Sequence, residues 1–294
     1  MTETLIAEEH ESIAPETFMG IVTLRVKDLD AMTSYYRDVI TLDVLSTTPD
    51  TVTLGRGRNS VVRLEHAPEL KQASPGQAGL FHTAILFESQ TALAAAVLSV
   101  ATQAPGTFTG SSDHLVSQAF YFTDPEGNGI ELYWDRQRSE WSWNGHDIAM
   151  DTLYLDPTAF LQEHLTADAM ENPRIGGTTV GHVHLSIGDI STAREFYVNQ
   201  IGFDQTLNFH GSALFVSAGG YHHHMGLNIW NARGAGRRQL TLGLGQVDIH
   251  VPDTDALAAT LERLTHFGND VRNDGQTLFV DDPWGNLLRV SVVA

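Results

Sequence analysis

Apolar and polar residues alternate in short runs along most of this chain, and the runs return later in the sequence. Ile21-Val22-Thr23-Leu24-Arg25-Val26 carries its aliphatic residues in the near-alternating pattern of a half-buried strand. From Leu29 to Ile40 the apolar spacing changes to a helical period, with Asp28 placed as its N-cap. His182-Val183-His184-Leu185-Ser186-Ile187 repeats the strand, and the helical stretch around Tyr36 and Ile40 returns around Tyr197 and Ile201, all at one offset of 161 residues. A second pair of segments does the same. Phe122-Thr123-Asp124-Pro125-Glu126-Gly127-Asn128 returns as Val280-Asp281-Asp282-Pro283-Trp284-Gly285-Asn286 at an offset of 158, and His82-Thr83-Ala84-Ile85 as Gln246-Val247-Asp248-Ile249 at 164. The change of offset is what a loop of different length produces.

Each unit therefore has one grammar: an alternating strand, a helical period, then further alternating runs divided by Gly, Asn, Pro and Asp turns. The pattern predicts an α+β chain of four βαβββ modules, starting near residues 20, 80, 181 and 245. The expected organisation is an acidic tail over 1–18, a first domain of modules one and two over 19–139, a linker over 140–178 and a second domain of modules three and four over 179–294. Within the linker, Asp156-Pro157 followed by Thr158 to Met170 reads as a capped short helix with Pro at its first position.

Composition narrows the classes of function. The 294 residues are 42% apolar, enough for a sizeable core. Seventeen Lys and Arg against 36 Asp and Glu give a formal charge of −19, which argues against a nucleic-acid footprint or a grip on anionic lipid. The absence of cysteine removes disulfides, thiolate zinc sites, iron–sulfur clusters and thiol nucleophiles together. No run of about 18 apolar residues exists to span a membrane, and the N-terminus lacks a basic stretch followed by an apolar one, so a cytoplasmic protein is expected. The 14 histidines remain as the obvious metal ligands.

Four βαβββ modules closing into two half-barrel domains resemble the vicinal oxygen chelate superfamily, the glyoxalase/bleomycin-resistance/dioxygenase fold. In that superfamily metal is bound from the first and last strands of a module. The first-strand position falls on Ile21, His82, His182 and Gln246, and the last-strand position, six residues after the turn proline, falls on Glu131 and Arg289. Modules two and three thus offer His82, Glu131 and His182, while one and four offer nothing usable. Two histidines and one carboxylate form the facial triad of non-haem Fe(II) oxygenases. His184 shares a strand face with His182 and stays a rival for its place, although it is two residues out of register with His82. Because the ligands fall in modules two and three, those modules are expected to close around the metal and leave one and four as a metal-free pair.

Module two also carries a longer motif: His114, five residues, Phe120-Tyr121, two residues, Asp124-Pro125-Glu126-Gly127, three residues, Glu131. This is similar to the signature of type I extradiol dioxygenases, with Ser112 as its one departure. The resemblance implies that His114 and Tyr121 stand beside the bound substrate. In Tyr221-His222-His223-His224-Met225-Gly226-Leu227-Asn228, strand alternation would put His222 and His224 on one face and His223 on the other. The family's His-His pair then implies His224 as the acid/base acting on the substrate hydroxyl, with His222 the close alternative.

The whole resemblance, nearest to bacterial catechol 2,3-dioxygenase-like proteins, implies an enzyme that uses Fe(II) and O2 to open the ring of a small aromatic diol. Mn(II) fits the same ligands, and relatives form homo-oligomers. Two other readings stay open. One is a glyoxalase-like lyase, which would want a second carboxylate. The other is a metal-free drug-binding resistance protein, which would make the His-Glu-His trio an accident.

Overall fold

The computed structural model describes residues 12–293, so most of the acidic tail, residues 1–11, lies outside the described residues. Module one runs β1 (Phe18–Val26), α1 (Leu29–Ser34), β2 (Asp43–Thr47), β3 (Thr51–Arg56) and β4 (Asn59–His66). Module two runs β5 (Gly79–Phe87), α2 (Gln90–Gln103), β6 (Phe108–Asp113), β7 (Ser117–Thr123) and β8 (Gly129–Asp135). The connecting segment holds β9 (Trp143–Asn144), β10 (Asp147–Ile148), β11 (Leu153–Tyr154), α3 (Pro157–His164) and α4 (Ala167–Glu171). Module three follows with β12 (Thr178–Ser186), α5 (Ile190–Arg194), β13 (Asp204–Phe209), β14 (Ala213–Ser217) and β15 (Met225–Asn228). Module four has β16 (Gly243–Val251), α6 (Thr254–His266), β17 (Arg272–Asn273), β18 (Thr277–Asp281) and β19 (Leu287–Val292).

The repeat extends to atomic detail. Asp28, Ser89, Asp189 and Asp253 each precede their module's helix, and each side chain accepts the backbone N–H three residues on, at 2.9, 3.1, 2.7 and 2.9 Å. α1 and α5 both run on into a π-helical turn, Tyr35–Val39 and Glu195–Gln200. In the linker the expected helix over 158–170 is two helices: Leu165 leaves the helical conformation, and Thr166 caps α4 by accepting from Ala169.

Besides the two-stranded β10-β9 pair, two large sheets form among the described residues, and they cross the order of the chain. Modules one and four make an eight-stranded sheet, β17-β18-β19-β16-β1-β4-β3-β2, and modules two and three, with β11 of the connecting segment at one edge, make a nine-stranded one, β11-β6-β7-β8-β5-β12-β15-β14-β13. Each is joined at its centre by an antiparallel pair of first strands, β1 with β16 and β5 with β12. One face of each sheet feeds a single core, to which Val22, Leu24, Ile85, Phe120, Leu132, Val183, Leu185, Val247 and Ile249 all belong. Period-2 alternation then dictates that His82, Tyr121, Glu131, His182 and His184 stand on the other, concave face of the module two–three sheet.

At the equivalent positions of the other sheet the ligands are replaced by a closed polar cluster. Arg289 donates to Asp248 at 2.9 Å, and the Gln246 side-chain amide donates to the second oxygen of the same carboxylate at 2.5 Å. Among the described residues, no helix is long and apolar enough to cross a membrane.

Candidate metal centre

Three adjacent strands supply the cluster. Glu131 on β8 lies beside Ala84 on β5 in a parallel ladder, while His82 on β5 faces His184 on β12 and His182 faces Ala84 across the antiparallel one. Glu131 Oε2 is 2.9 Å from His82 Nε2 and 3.1 Å from His182 Nε2. The ligand atoms of all three lie within 4.8 Å of one another, and all three residues are buried.

This arrangement fits a divalent cation. His82 Nε2 is buried and, in spite of its closeness to Glu131, has no hydrogen-bond partner. A buried polar atom left without one needs a reason, and a shared cation supplies it. Charge points the same way. Burial acts to raise the Glu131 carboxyl, but the neighbouring His182 and His82 hold it well below the usual carboxylate range. Burial pushes His182 down to about 4 against the pull of Glu131. An ionised carboxylate and neutral imidazoles are the protonation states a metal ion binds.

His184, the rival ligand, is placed differently. Its ring is 4.9 Å from that of His82 and packs edge-on against Phe81 and Phe215, and it joins no group of convergent ligand atoms. Burial drives it well below the ordinary histidine range. Gly226 lies flat beneath this ring, where a Cβ would come within 2.8 Å.

His114 and Tyr121 are brought together. His114 Nδ1–H donates to the Asp151 carbonyl at 2.7 Å, and Tyr121 OH is 2.6 Å from His114 Nε2. With Nδ1 carrying the proton, the neutral ring accepts from the tyrosine. The Tyr121 ring is 5.7 Å from His82. Burial, then the charge of Glu131, pushes its hydroxyl well above the ordinary tyrosine range, so it stays protonated.

The histidine run places His223, rather than the expected His224 or His222, at the cavity. His223 lines the cavity, with its ring 4.1 Å from His182. His224 is turned away: its Nδ1 accepts from Ala218 N at 3.1 Å, and its ring packs on Tyr221 and Phe203. His222, also outside the cavity lining, is fully buried and hydrogen-bonded to Asp135. The physical reason is that the run precedes β15, which starts only at Met225, so strand alternation does not govern it. His182, His222 and His223 form a second group of convergent nitrogens. That group lacks a carboxylate, and two of its members already hydrogen-bond each other at 2.7 Å.

The cluster sits at the wall of a cavity of about 590 Å³ whose other sides are mostly apolar, built from Leu80, Phe81, Leu207, Phe209, Phe215 and Trp230. The run singled out in the sequence also holds His223, and Trp230 joins the cavity lining with no motif to signal it.

Two half-barrels of one plan, of which, among the described residues, one keeps a convergent His-Glu-His group, define the class of double half-barrel proteins. The chain belongs to the Glyoxalase/Bleomycin resistance protein/Dioxygenase superfamily, whose model matches residues 19–132 and 179–290. It is 35% identical over 277 residues to the catechol-2,3-dioxygenase of Bacillus subtilis (strain 168), covering 92% of this chain and 96% of that one. Among solved structures it is similar to one from B. subtilis subsp. subtilis strain 168 (TM-score 0.64, 14% identical, covering 96% of this chain and 86% of that one). It is also similar to glyoxalase I of Zea mays (TM-score 0.56, 17% identical, covering 94% and 92%). At such identities these two structures speak for the fold alone.

Proposed function

We propose that this protein is an Fe(II)-dependent extradiol dioxygenase that opens the ring of a catechol with O2. The observation that carries the reading is the convergence of two imidazoles and one carboxylate at a cavity of ring-accommodating size. The catechol-2,3-dioxygenase relative adds to it. His82, His182 and Glu131 would hold the Fe(II), which would bring the diol and O2 together and pass electrons between them; Mn(II) fits the same donors. A glyoxalase-like lyase would want a second carboxylate, and among the described residues the convergent groups contain only Glu131.

The chain's own residues do the rest. His223, beside His182 at the cavity wall, takes the proton of a substrate hydroxyl, the role the sequence expectation gave to His224 or His222. Tyr121, oriented by His114, stands on the opposite side near His82 and offers a polar contact to oxygen on the substrate. Phe81, Phe215 and Trp230 hold the ring by aromatic contact and keep water from it.

The test is oxygen uptake by Fe(II)-reconstituted protein supplied with catechol, with the visible absorbance of the product followed in parallel. Uptake matched mole for mole by a yellow ring-opened semialdehyde is expected. Iron retained with no uptake on any catechol would overturn the reaction while leaving the metal site. Failure to retain any divalent metal would overturn both and favour the drug-binding reading.

A further inference from the structure

A chain of buried hydrogen bonds leads from the cavity wall toward the outside of the sheet. His223 lines the cavity, and its Nδ1 is 2.7 Å from Nδ1 of His222. His222 Nε2 is 2.8 Å from Asp135 Oδ1, and the Asp135 side chain is 16% exposed. The other oxygen of Asp135 accepts from Tyr221 OH at 2.6 Å, and Tyr221 OH is in turn 2.8 Å from Tyr133 OH. The tyrosines and His222 are walled in, with Trp141 ring-packed against both Tyr221 and His222.

The direction of each bond follows from what each group can donate. The Asp135 carboxylate only accepts, so His222 must carry its proton on Nε2. In a neutral His222 ring Nδ1 then has a lone pair and accepts, so the bond to His223 is donated by His223 Nδ1–H. That leaves Nε2 of His223 as the ring's unprotonated nitrogen. We propose that Asp135 is a positioning residue that acts through His222 to fix the tautomer of His223, so that His223 offers a lone pair to the substrate hydroxyl. The inference rests on the dioxygenase reading for the identity of the substrate, but the tautomer can be observed without turnover.

The experiment compares wild type with Asp135→Asn, which keeps shape but mixes donor and acceptor, and with Asp135→Glu, which restores an acceptor-only group. In Fe(II)-loaded protein, Asp135→Asn should keep its metal and hold KM within about threefold while kcat for catechol falls about 100-fold, the scale of a displaced acid/base group. With 4-nitrocatechol, whose hydroxyl is intrinsically more acidic, the loss should shrink to about 10-fold or less, because less is asked of the base. Asp135→Glu should recover most of the rate.

Independently, ¹⁵N chemical shifts of His223 in Zn(II)-loaded protein should report a protonated Nδ1 and a bare Nε2 in wild type, with the two tautomers mixed in Asp135→Asn. Equal losses with both catechols would mean a merely structural role and overturn the proposal. Loss of metal from Asp135→Asn would overturn it by making His222 a ligand. So would a His223 shift that does not respond to the substitution. If wild type cleaves no catechol at all, the dioxygenase reading falls, and the nitrogen shifts alone still decide the tautomer.

Discussion

Glu131 is the residue on which the candidate metal centre turns, because it is the only carboxylate among the three convergent residues. Glu131→Gln keeps the volume and removes the charge. Retention of Fe(II) or Zn(II) after dialysis should fall by more than about 100-fold, past the range seen when outer-shell partners are lost. His184→Ala, by contrast, should retain its metal, since His184 packs against Phe81 and Phe215 and joins no ligand group. If His184→Ala empties the site and His182→Ala does not, the third ligand is His184. Gly226→Ala should tilt the same ring and cost about 1–3 kcal/mol, read as a lower urea midpoint, because the new methyl meets a buried imidazole within a close-packed interior.

The residue scale also shows where sequence reasoning works. His82, Glu131 and His182 could be placed together in advance because the repeat supplies three registers to compare, and strand periodicity ties register to facing. The histidine run has no counterpart in the other modules. It also lies in a bend ahead of β15, so the period-2 rule had no strand to act on and selected His222 and His224 where the chain presents His223.

At the scale of elements, a second set of repeated contacts ties the modules in a different order from the sheets. Tyr36, in the π-turn after α1, donates to Asp124 in the turn of module two at 3.1 Å, and Tyr197 donates to Asp282 in the turn of module four at 2.9 Å. Each aspartate also accepts the backbone and side-chain amide of an asparagine four residues on, Asn128 and Asn286. Sheets therefore join two with three and one with four, whereas the tyrosine locks join one with two and three with four. Tyr36→Phe and Tyr197→Phe should each cost about 1.5–3 kcal/mol, the range for a hydrogen bond to a charged group, read from the urea midpoint.

Asp124 adds a pH signature. Burial raises its carboxyl from 3.8 to about 6, against the hydrogen bonds from Asn128, Tyr36 and Glu126. A carboxyl raised in the folded state favours folding while protonated, so its contribution is whole below its unfolded value and is lost as pH climbs through about 4 to 6. The urea midpoint of wild type, measured relative to Asp124→Asn, should therefore decline between pH 4 and pH 7. The decline should be at most about 3 kcal/mol by the scale of 1.36 kcal/mol for each unit. A flat or rising difference would show that the ionised form is not disfavoured here. The turns themselves were readable from Asp-Pro and Gly-Asn, but their tyrosine partners were not, since contacts between modules leave no local pattern.

Over the whole molecule, the charge of −19 and the cavity lining act together. The lining includes Glu131 and Asp151 and neither lysine nor arginine. A catechol bearing a carboxylate would meet a negative field on approach and no lysine or arginine to pair with its carboxylate on arrival. Alkyl- or aryl-substituted catechols should therefore show kcat/KM at least about 10-fold above carboxylated ones, a modest 1.4 kcal/mol, and raised salt should narrow the gap by screening the approach. A preference for the carboxylated series would mean that a basic group outside this lining takes part.

The crossing of modules between sheets has a consequence for how the protein is made. β5, which carries His82, pairs at one edge with β8 from its own module, but its other neighbour, β12, begins about ninety residues after β5 ends. As synthesis proceeds from the N-terminus, the first half leaves the ribosome with one edge of β5 unpaired, holding His82 and Glu131 but not His182. Such an edge invites pairing with other chains until its own partner arrives. The His82-Glu131-His182 group is completed only when β12 closes the seam, so a metal that needs all three would be held firmly only by a finished and assembled chain, and a polypeptide cut short in the linker would be left both sticky and without the full group.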